Sequence, residues 1–245
     1  MRFKDQVVII TGGGSGIGLA TACRLGAEGA QVVLADLSAD NLAKAEPQVR
    51  QAGAPDVLCQ VCDVGQEASV EACAAAALQR FGRWDGLVNN AGLMLFKPLE
   101  AQTEEDWLRI LRVDLLGAFF FLKQAFLKMP PGGAVVNVSS IHALETTPRV
   151  APYAAAKAAL VSLTRSASME GKAKGLRVNA ILPGAIDTPM LWENPNIKAG
   201  IETLNANDVG KPQDVAATIA YLLSLDAAFV DGAAVLVDGG RLSKL

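Results

Sequence analysis

Residues 7–18, VVIITGGGSGIG, decide the architecture of this 245-residue chain. Val7, Val8, Ile9 and Ile10 form a run that is apolar at every position, the pattern of a strand covered on both faces in a parallel sheet between helices. The run passes into Gly12, Gly13, Gly14, Gly16 and Gly18, and then into LATACRLGAEGA, whose alanines and leucines favour helix. Glycines between a strand and a helix let the backbone turn tightly and leave N–H groups at the positive end of the helix dipole, where an anion binds. Such a turn alone is a weak signal, because an ordinary flexible turn looks the same. The next apolar run, QVVLAD, ends in Asp36, and an acidic residue there suits the two hydroxyls of a ribose. Turn and carboxylate together predict a dinucleotide site.

Outward from this unit, further β-branched runs occur at Val57 to Val61, Gly86 to Asn89, Ala134 to Ser139, Arg177 to Ile181 and Ala233 to Val237, with Ala- and Leu-rich stretches between them. Alternating strand and helix without a linker or repeat predicts an α/β fold: one doubly wound, mostly parallel seven-stranded sheet flanked by helices, Rossmann-like, over residues 1–245. After the third strand, Asp63 and Val64 are placed to meet the adenine ring. After the fourth, NNAG at 89–92 repeats the strand-to-tight-turn logic with Asn90, Ala91 and Gly92 on the ligand side; Asn89 is expected to brace the sheet. Residues 188–210, TPMLWENPNIKAGIETLNANDVG, lose the rhythm and read as a substrate loop with short helical pieces.

Composition excludes several classes. Hydrophobic residues make up 51% of the chain and charged residues 19%, which favours a packed core over disorder. The apolar runs are far shorter than the roughly 20 residues of a membrane span, and MRFKDQVVII lacks the long apolar region of a signal peptide. The expected compartment is therefore cytoplasmic. With 22 Lys+Arg against 25 Asp+Glu and no basic stripe, neither nucleic acid nor membrane is an expected partner. Cys59 and Cys62 form a C-x-x-C, but in the strand-like VLCQVCDV they point to opposite faces and do not favour a metal site.

The chemistry is concentrated in the second half. A strand ending NVSS leads to Ser140, and downstream APYAAAKAAL has a proline suited to a first helical turn. Tyr153 and Lys157 stand one helical turn apart on one face. An ammonium beside a phenol favours the phenolate, so the pair is expected to bring the tyrosine down from about 10 towards working pH. A half-buried tyrosine beside a solvated lysine would show the same spacing, and context has to decide.

That context is an ordered set, TGGGSGIG, NNAG, Ser140, Tyr153 to Lys157 and PGAIDT at 183–188, spread over the whole chain. It resembles the short-chain dehydrogenase/reductase family, in its compact single-domain branch with T-G-x-x-x-G-x-G and Y-x-x-x-K. The resemblance implies an NAD(H)-dependent oxidoreductase acting on an alcohol or carbonyl, with Tyr153 as general acid/base, Lys157 on the nicotinamide ribose, and Ser140 orienting the substrate oxygen. It implies cofactor contacts from Gly12, Ser15, Gly16, Ile17, Gly18, Asp36, Leu37, Asp63, Val64, Asn90, Ala91, Gly92, Tyr153 and Lys157. Pro183, Gly184, Ile186 and Thr188 would run along the nicotinamide, and the usual assembly is a homotetramer. This chain departs from the family in having VDL where V-N-L is usual. Asp114 thus takes the position whose main-chain carbonyl holds a water in a proton relay, and an acidic side chain there could instead pair with Lys157. His142, Met190 and Trp192, with Glu145 and Arg149, are candidates for the substrate wall. Two alternatives stay open: a non-catalytic dinucleotide-binding sensor on the same fold, and epimerase or dehydratase chemistry on nucleotide sugars.

Overall fold

Alternate residues of β1 (Val7–Thr11) enter different layers, Val8 and Ile10 one and Val7 and Ile9 the other, so the strand is buried on both sides. This is the consequence of an uninterrupted apolar run. The computed structural model describes residues 1–205 and 208–244. Its sheet adds β2 (Gln31–Asp36), β3 (Val57–Val61), β4 (Gly86–Asn89), β5 (Ala134–Val138), β6 (Arg177–Pro183) and β7 (Ala234–Val237). All neighbours are parallel, in the order β3-β2-β1-β4-β5-β6-β7. The seven strands expected from sequence are all present. β6 runs two residues past its expected end, because Leu182 and Pro183 are still paired with Leu236 and Val237 of β7.

Helices α1 (Gly16–Ala27), α2 (Ala39–Gln51) and α9 (Pro212–Leu223) cover one face with Leu25, Leu42, Val49, Val215 and Ile219. Helices α3 (Glu67–Phe81), α5 (Gly117–Lys128) and α6 (Ala151–Gly171) cover the other with Val70, Cys73, Phe121, Leu122 and Ala167. Cys59 packs towards the first layer and Cys62 lies in the second, opposite faces as a three-residue separation on extended chain requires. Cys62 instead meets the thiol of Cys73 on α3.

Three features position the site. Chain order reverses at β1 and β4, opening a crevice at their carboxyl ends. Gly18 lets α1 start close to the turn: a Cβ there would lie 2.1 Å from the Gly12 carbonyl oxygen. Finally, α4 (Glu104–Leu111) joins α5 through a π-helical turn, Arg112–Leu116, which carries Asp114 to a buried position. Within 188–210 the short helical pieces are α7 (Pro189–Trp192) and α8 (Pro195–Lys198), and a bridge between Ile186 and Gly210 closes the base of the segment. Residues 206 and 207 of that segment lie outside the described residues. Among the described residues, no helix is long and apolar enough to cross a membrane.

Candidate active site

At the carboxyl ends of β1 and β4, two turns are tied together. The Thr11 hydroxyl oxygen accepts from the N–H groups of Asn90 and Ala91, both at 2.9 Å, while the Asn90 amide donates to the carbonyls of Thr11 at 2.9 Å and Gly12 at 3.2 Å. Beside them opens a cavity of about 670 Å³, within the usual range of ligand sites. Ser15 precedes α1 without a side-chain capping bond, so the first helical N–H groups keep their capacity for an anion. Asp36 is fixed by two backbone donors, Gly14 N–H to Oδ2 and Ser38 N–H to Oδ1, each at 3.0 Å. Its oxygens retain lone pairs for further donors. Asp63 is held in the same manner by Gly65 N–H at 2.9 Å.

At the other end of the cavity, β5 delivers Ser140 and the first two turns of α6 deliver Tyr153 and Lys157. The Lys157 ammonium donates to the Val138 carbonyl at 3.1 Å, faces Asp114 Oδ2 at 3.1 Å, and lies 5.5 Å from the centre of the Tyr153 ring. The Tyr153 phenol and the Ser140 hydroxyl line the same stretch of the cavity, and Ser140 Oγ accepts from His142 N–H at 3.2 Å. His142 stands edge-on to that ring at 5.7 Å, with Nδ1 3.1 Å from the Thr146 hydroxyl. Asn89 spans the sheet, donating to Asn137 Oδ1 at 2.8 Å, and Asn137 donates to Thr164 at 2.9 Å.

Burial alters the charges expected here. It pushes the Tyr153 phenol above its ordinary value, and Asp114 adds to that, against the opposing pull of Lys157 and Ser140. The downward shift expected from the Tyr/Lys spacing is therefore not the net result, because spacing reveals neither the dry surroundings nor the carboxylate behind the lysine. Lys157 itself is raised: burial disfavours the ammonium, but Asp114 and Tyr153 outweigh it. Burial lowers the His142 imidazole and keeps it neutral at pH 7.

The cavity wall contains most of the expected positions. Gly12, Ser15, Gly16, Ile17, Asp36, Leu37, Asp63 and Val64 line its first half, and Asn90, Ala91 and Gly92 its floor. Ser140, His142, Glu145, Tyr153 and Lys157 line the second half with Pro183, Gly184, Ile186, Thr188 and Met190. Four lie off the wall. Gly18 packs on Gly12, and Asp114 sits behind Gly92 and Lys157. Trp192 is half exposed and turns its indole N–H to Asp187 at 2.6 Å, and Arg149 adopts a left-handed φ of 73° before α6. The sequence reading missed Glu202 and Arg241, an ion pair at 2.9 Å on the same wall. No local motif marks either residue, since the 188–210 segment and the chain end meet only in the fold.

The family model described as Enoyl-(Acyl carrier protein) reductase matches residues 12–241. The chain is 41% identical to levodione reductase of Leifsonia aquatica, over 98% of this chain and 95% of that protein. The chain belongs to the short-chain dehydrogenase/reductase family. It is an oxidoreductase, as its named relatives are. The 3beta-hydroxysteroid dehydrogenase 1 of Eggerthella lenta (strain ATCC 25559) is 38% identical over 97% of this chain and 94% of its own length. A crystal structure of levodione reductase superposes with a TM-score of 0.93, at 39% identity and full coverage of both chains. That of an NAD+-bound xylitol dehydrogenase does so at 0.89, with 29% identity, 98% of this chain and 100% of that one.

Proposed function

We propose that this family member is an NAD(H)-dependent dehydrogenase/reductase that interconverts a secondary alcohol and its ketone, with Tyr153 as general acid/base. The observation that carries the reading is the meeting of Tyr153, Ser140 and Lys157 in one cavity with the uncapped end of α1. The relatives named above are a levodione reductase and a 3beta-hydroxysteroid dehydrogenase, and one structural neighbour holds NAD+, which supports the class of reaction and cofactor.

The residues present fit a dinucleotide. Gly12, Gly16 and the first N–H groups of α1 suit the pyrophosphate, Asp36 the adenosine ribose, and Asp63 and Val64 the adenine. Asn90 to Gly92, Lys157, and the turn from Pro183 to Thr188 suit the nicotinamide end. When bound, the cofactor supplies hydride acceptance or donation. The chain supplies the rest. Ser140 holds the substrate oxygen against Tyr153, and the phenol gives a proton to a carbonyl oxygen or takes one from a hydroxyl. Lys157, anchored by Val138 and Asp114, keeps a positive charge near that exchange. The 188–210 segment supplies Met190, Leu191, Asn194 and Glu202 as a substrate wall with His142 opposite.

The test is an initial-rate screen with NAD over secondary alcohols, polyols, sugars and hydroxy acids, followed by Tyr153→Phe on the best substrate. Loss of positioned acid/base catalysis should lower kcat by roughly 10²- to 10⁴-fold while NAD binding persists. Lys157→Ala should impair both. Near-normal turnover of the Phe variant would sink the acid/base assignment, and no turnover by the wild type on any alcohol or ketone would favour a sensor.

A further inference from the structure

The side chain of Asp114 has a use that its main-chain carbonyl does not explain. Its Oδ1 accepts from Leu93 N–H at 3.0 Å, and its Oδ2 has no partner but the Lys157 ammonium at 3.1 Å. Both side chains are almost wholly buried, at 0% and 4% exposure. Gly92 leaves the room for their contact: a Cβ there would lie 2.9 Å from Asp114 Oδ2 and 3.2 Å from Lys157 Nζ. Water cannot screen a pair so placed, so the carboxylate acts on whatever the ammonium acts on. That is the Tyr153 ring.

We infer that Asp114 is a charge-setting and positioning residue that holds Lys157 and offsets its field on Tyr153, so that the phenol stays protonated across the neutral range and accepts a proton from an alcohol only at alkaline pH. The inference rests on the acid/base reading of Tyr153 above. Carbonyl reduction, which needs the protonated phenol, is thereby favoured at neutral pH, and alcohol oxidation is moved to high pH.

The other groups around the phenol do not replace this effect. His142, edge-on to the ring, is lowered by burial and neutral. Ser140 offers a hydroxyl. The α4 side presents Ile110 and Leu111, and the strand-four turn presents Leu93, Met94 and Leu95, all apolar. Glu202 and Arg241 act on His142 and are paired with one another. Asp114 is therefore the one carboxylate among the described residues that bears on Tyr153; burial is the larger upward pull on the phenol and Asp114 adds to it.

The experiment compares kcat/KM against pH for oxidation and reduction in wild type, Asp114→Asn and Asp114→Glu, with NAD and NADH on the best substrate pair. Removing the charge should move the acidic limb of oxidation down by about one pH unit, roughly a tenfold gain at a pH on that limb. The alkaline limb of reduction should move down by the same amount, and the Glu variant should keep the wild-type positions. Limbs unmoved in the Asn variant, with a uniform loss of rate, would reduce Asp114 to a structural role and overturn the inference. Should the Asn variant not fold, wild type minus Tyr153→Phe still isolates one phenol by ultraviolet titration, since Tyr221 is the only other tyrosine. Ionisation of Tyr153 above its ordinary value of 10 is expected, and ionisation well below it would overturn the inference. A Phe variant with near-normal turnover removes the acid/base reading itself, an outcome distinct from an unmoved limb in a Tyr153-dependent enzyme.

Discussion

Cofactor choice is the property most directly written into one side chain. Asp36 closes β2 beside the glycine turn and is held by Gly14 N–H and Ser38 N–H at 3.0 Å each, so it cannot swing aside without losing two charge-assisted hydrogen bonds. A 2′-phosphate on the adenosine ribose would have to sit against it. At about 4 Å and an effective dielectric near 20, two unit charges repel by about 4 kcal/mol. The mouth is open to solvent, with Leu37 70% exposed, and a two- to threefold reduction by water and salt leaves roughly 1.3–2 kcal/mol. That is a preference for NAD over NADP of roughly 10- to 30-fold in kcat/KM. Arg24, the nearest basic residue on α1 to follow the turn, is committed to Glu28 and does not offset the repulsion. Asp36→Asn keeps an acceptor oxygen and removes the charge. It should bring the NAD/NADP ratio down by about tenfold, with a smaller loss of NAD efficiency. Asp36→Ala also loses the brace on Gly14 and should weaken both cofactors. The assay is kcat/KM for both cofactors at one saturating substrate concentration, repeated at high salt, where the wild-type ratio should shrink. Equal efficiencies in wild type, or a ratio unchanged in the Asn variant, would refute the reasoning.

Two further outcomes are expected. Glu28 lies between Arg2, at 2.8 Å, and Arg24, and these hold its carboxyl down at about 2. A depressed carboxylate stabilises the fold above its unfolded value of 4.5 and ceases to do so as pH falls through about 2. With partners 32% and 44% exposed, screening cuts the effect to about 1 kcal/mol. Glu28→Gln should therefore lower the urea midpoint at pH 7 and match wild type near pH 2, and an equal loss at both pH values would show that the charge is not the cause. The homotetramer expected from the family resemblance predicts light scattering well above the 25.5 kDa of one chain at micromolar concentration. Its support in the fold is the free edge of β7, where Leu236 is 46% exposed, with Phe229 fully exposed nearby in sequence; a monomer at that concentration would contradict it.

What could be read from the chain was local. A glycine turn between a strand and a helix, a carboxylate ending the next strand, and a tyrosine one helical turn before a lysine are each defined within a few residues, and the structure brings them to one cavity. Even the opposite facing of Cys59 and Cys62 follows from a two-residue period. What could not be read depends on segments that meet only after folding. Cys62 finds Cys73 and Glu202 finds Arg241, and in neither case does spacing announce the partner; the pairing of Asp114 with Lys157 is left open by the departure at VDL, and the fold makes it. Trp192, placed on the substrate wall by loop position alone, instead turns to Asp187 in the turn just before that loop, because a one-turn helix leaves its large side chain close to the preceding turn. The tyrosine shows why this matters for chemistry. From spacing, Lys157 is a lone cation that must draw the phenol down. In the fold the same cation is half of a buried pair, and desolvation, which no one-dimensional pattern encodes, acts on every member of the trio. The shift on Tyr153 is therefore a property of burial first and of the packing of α6 against the π-helical turn, and a single substitution at Asp114 should lower the phenol without altering the Y-x-x-x-K motif at all.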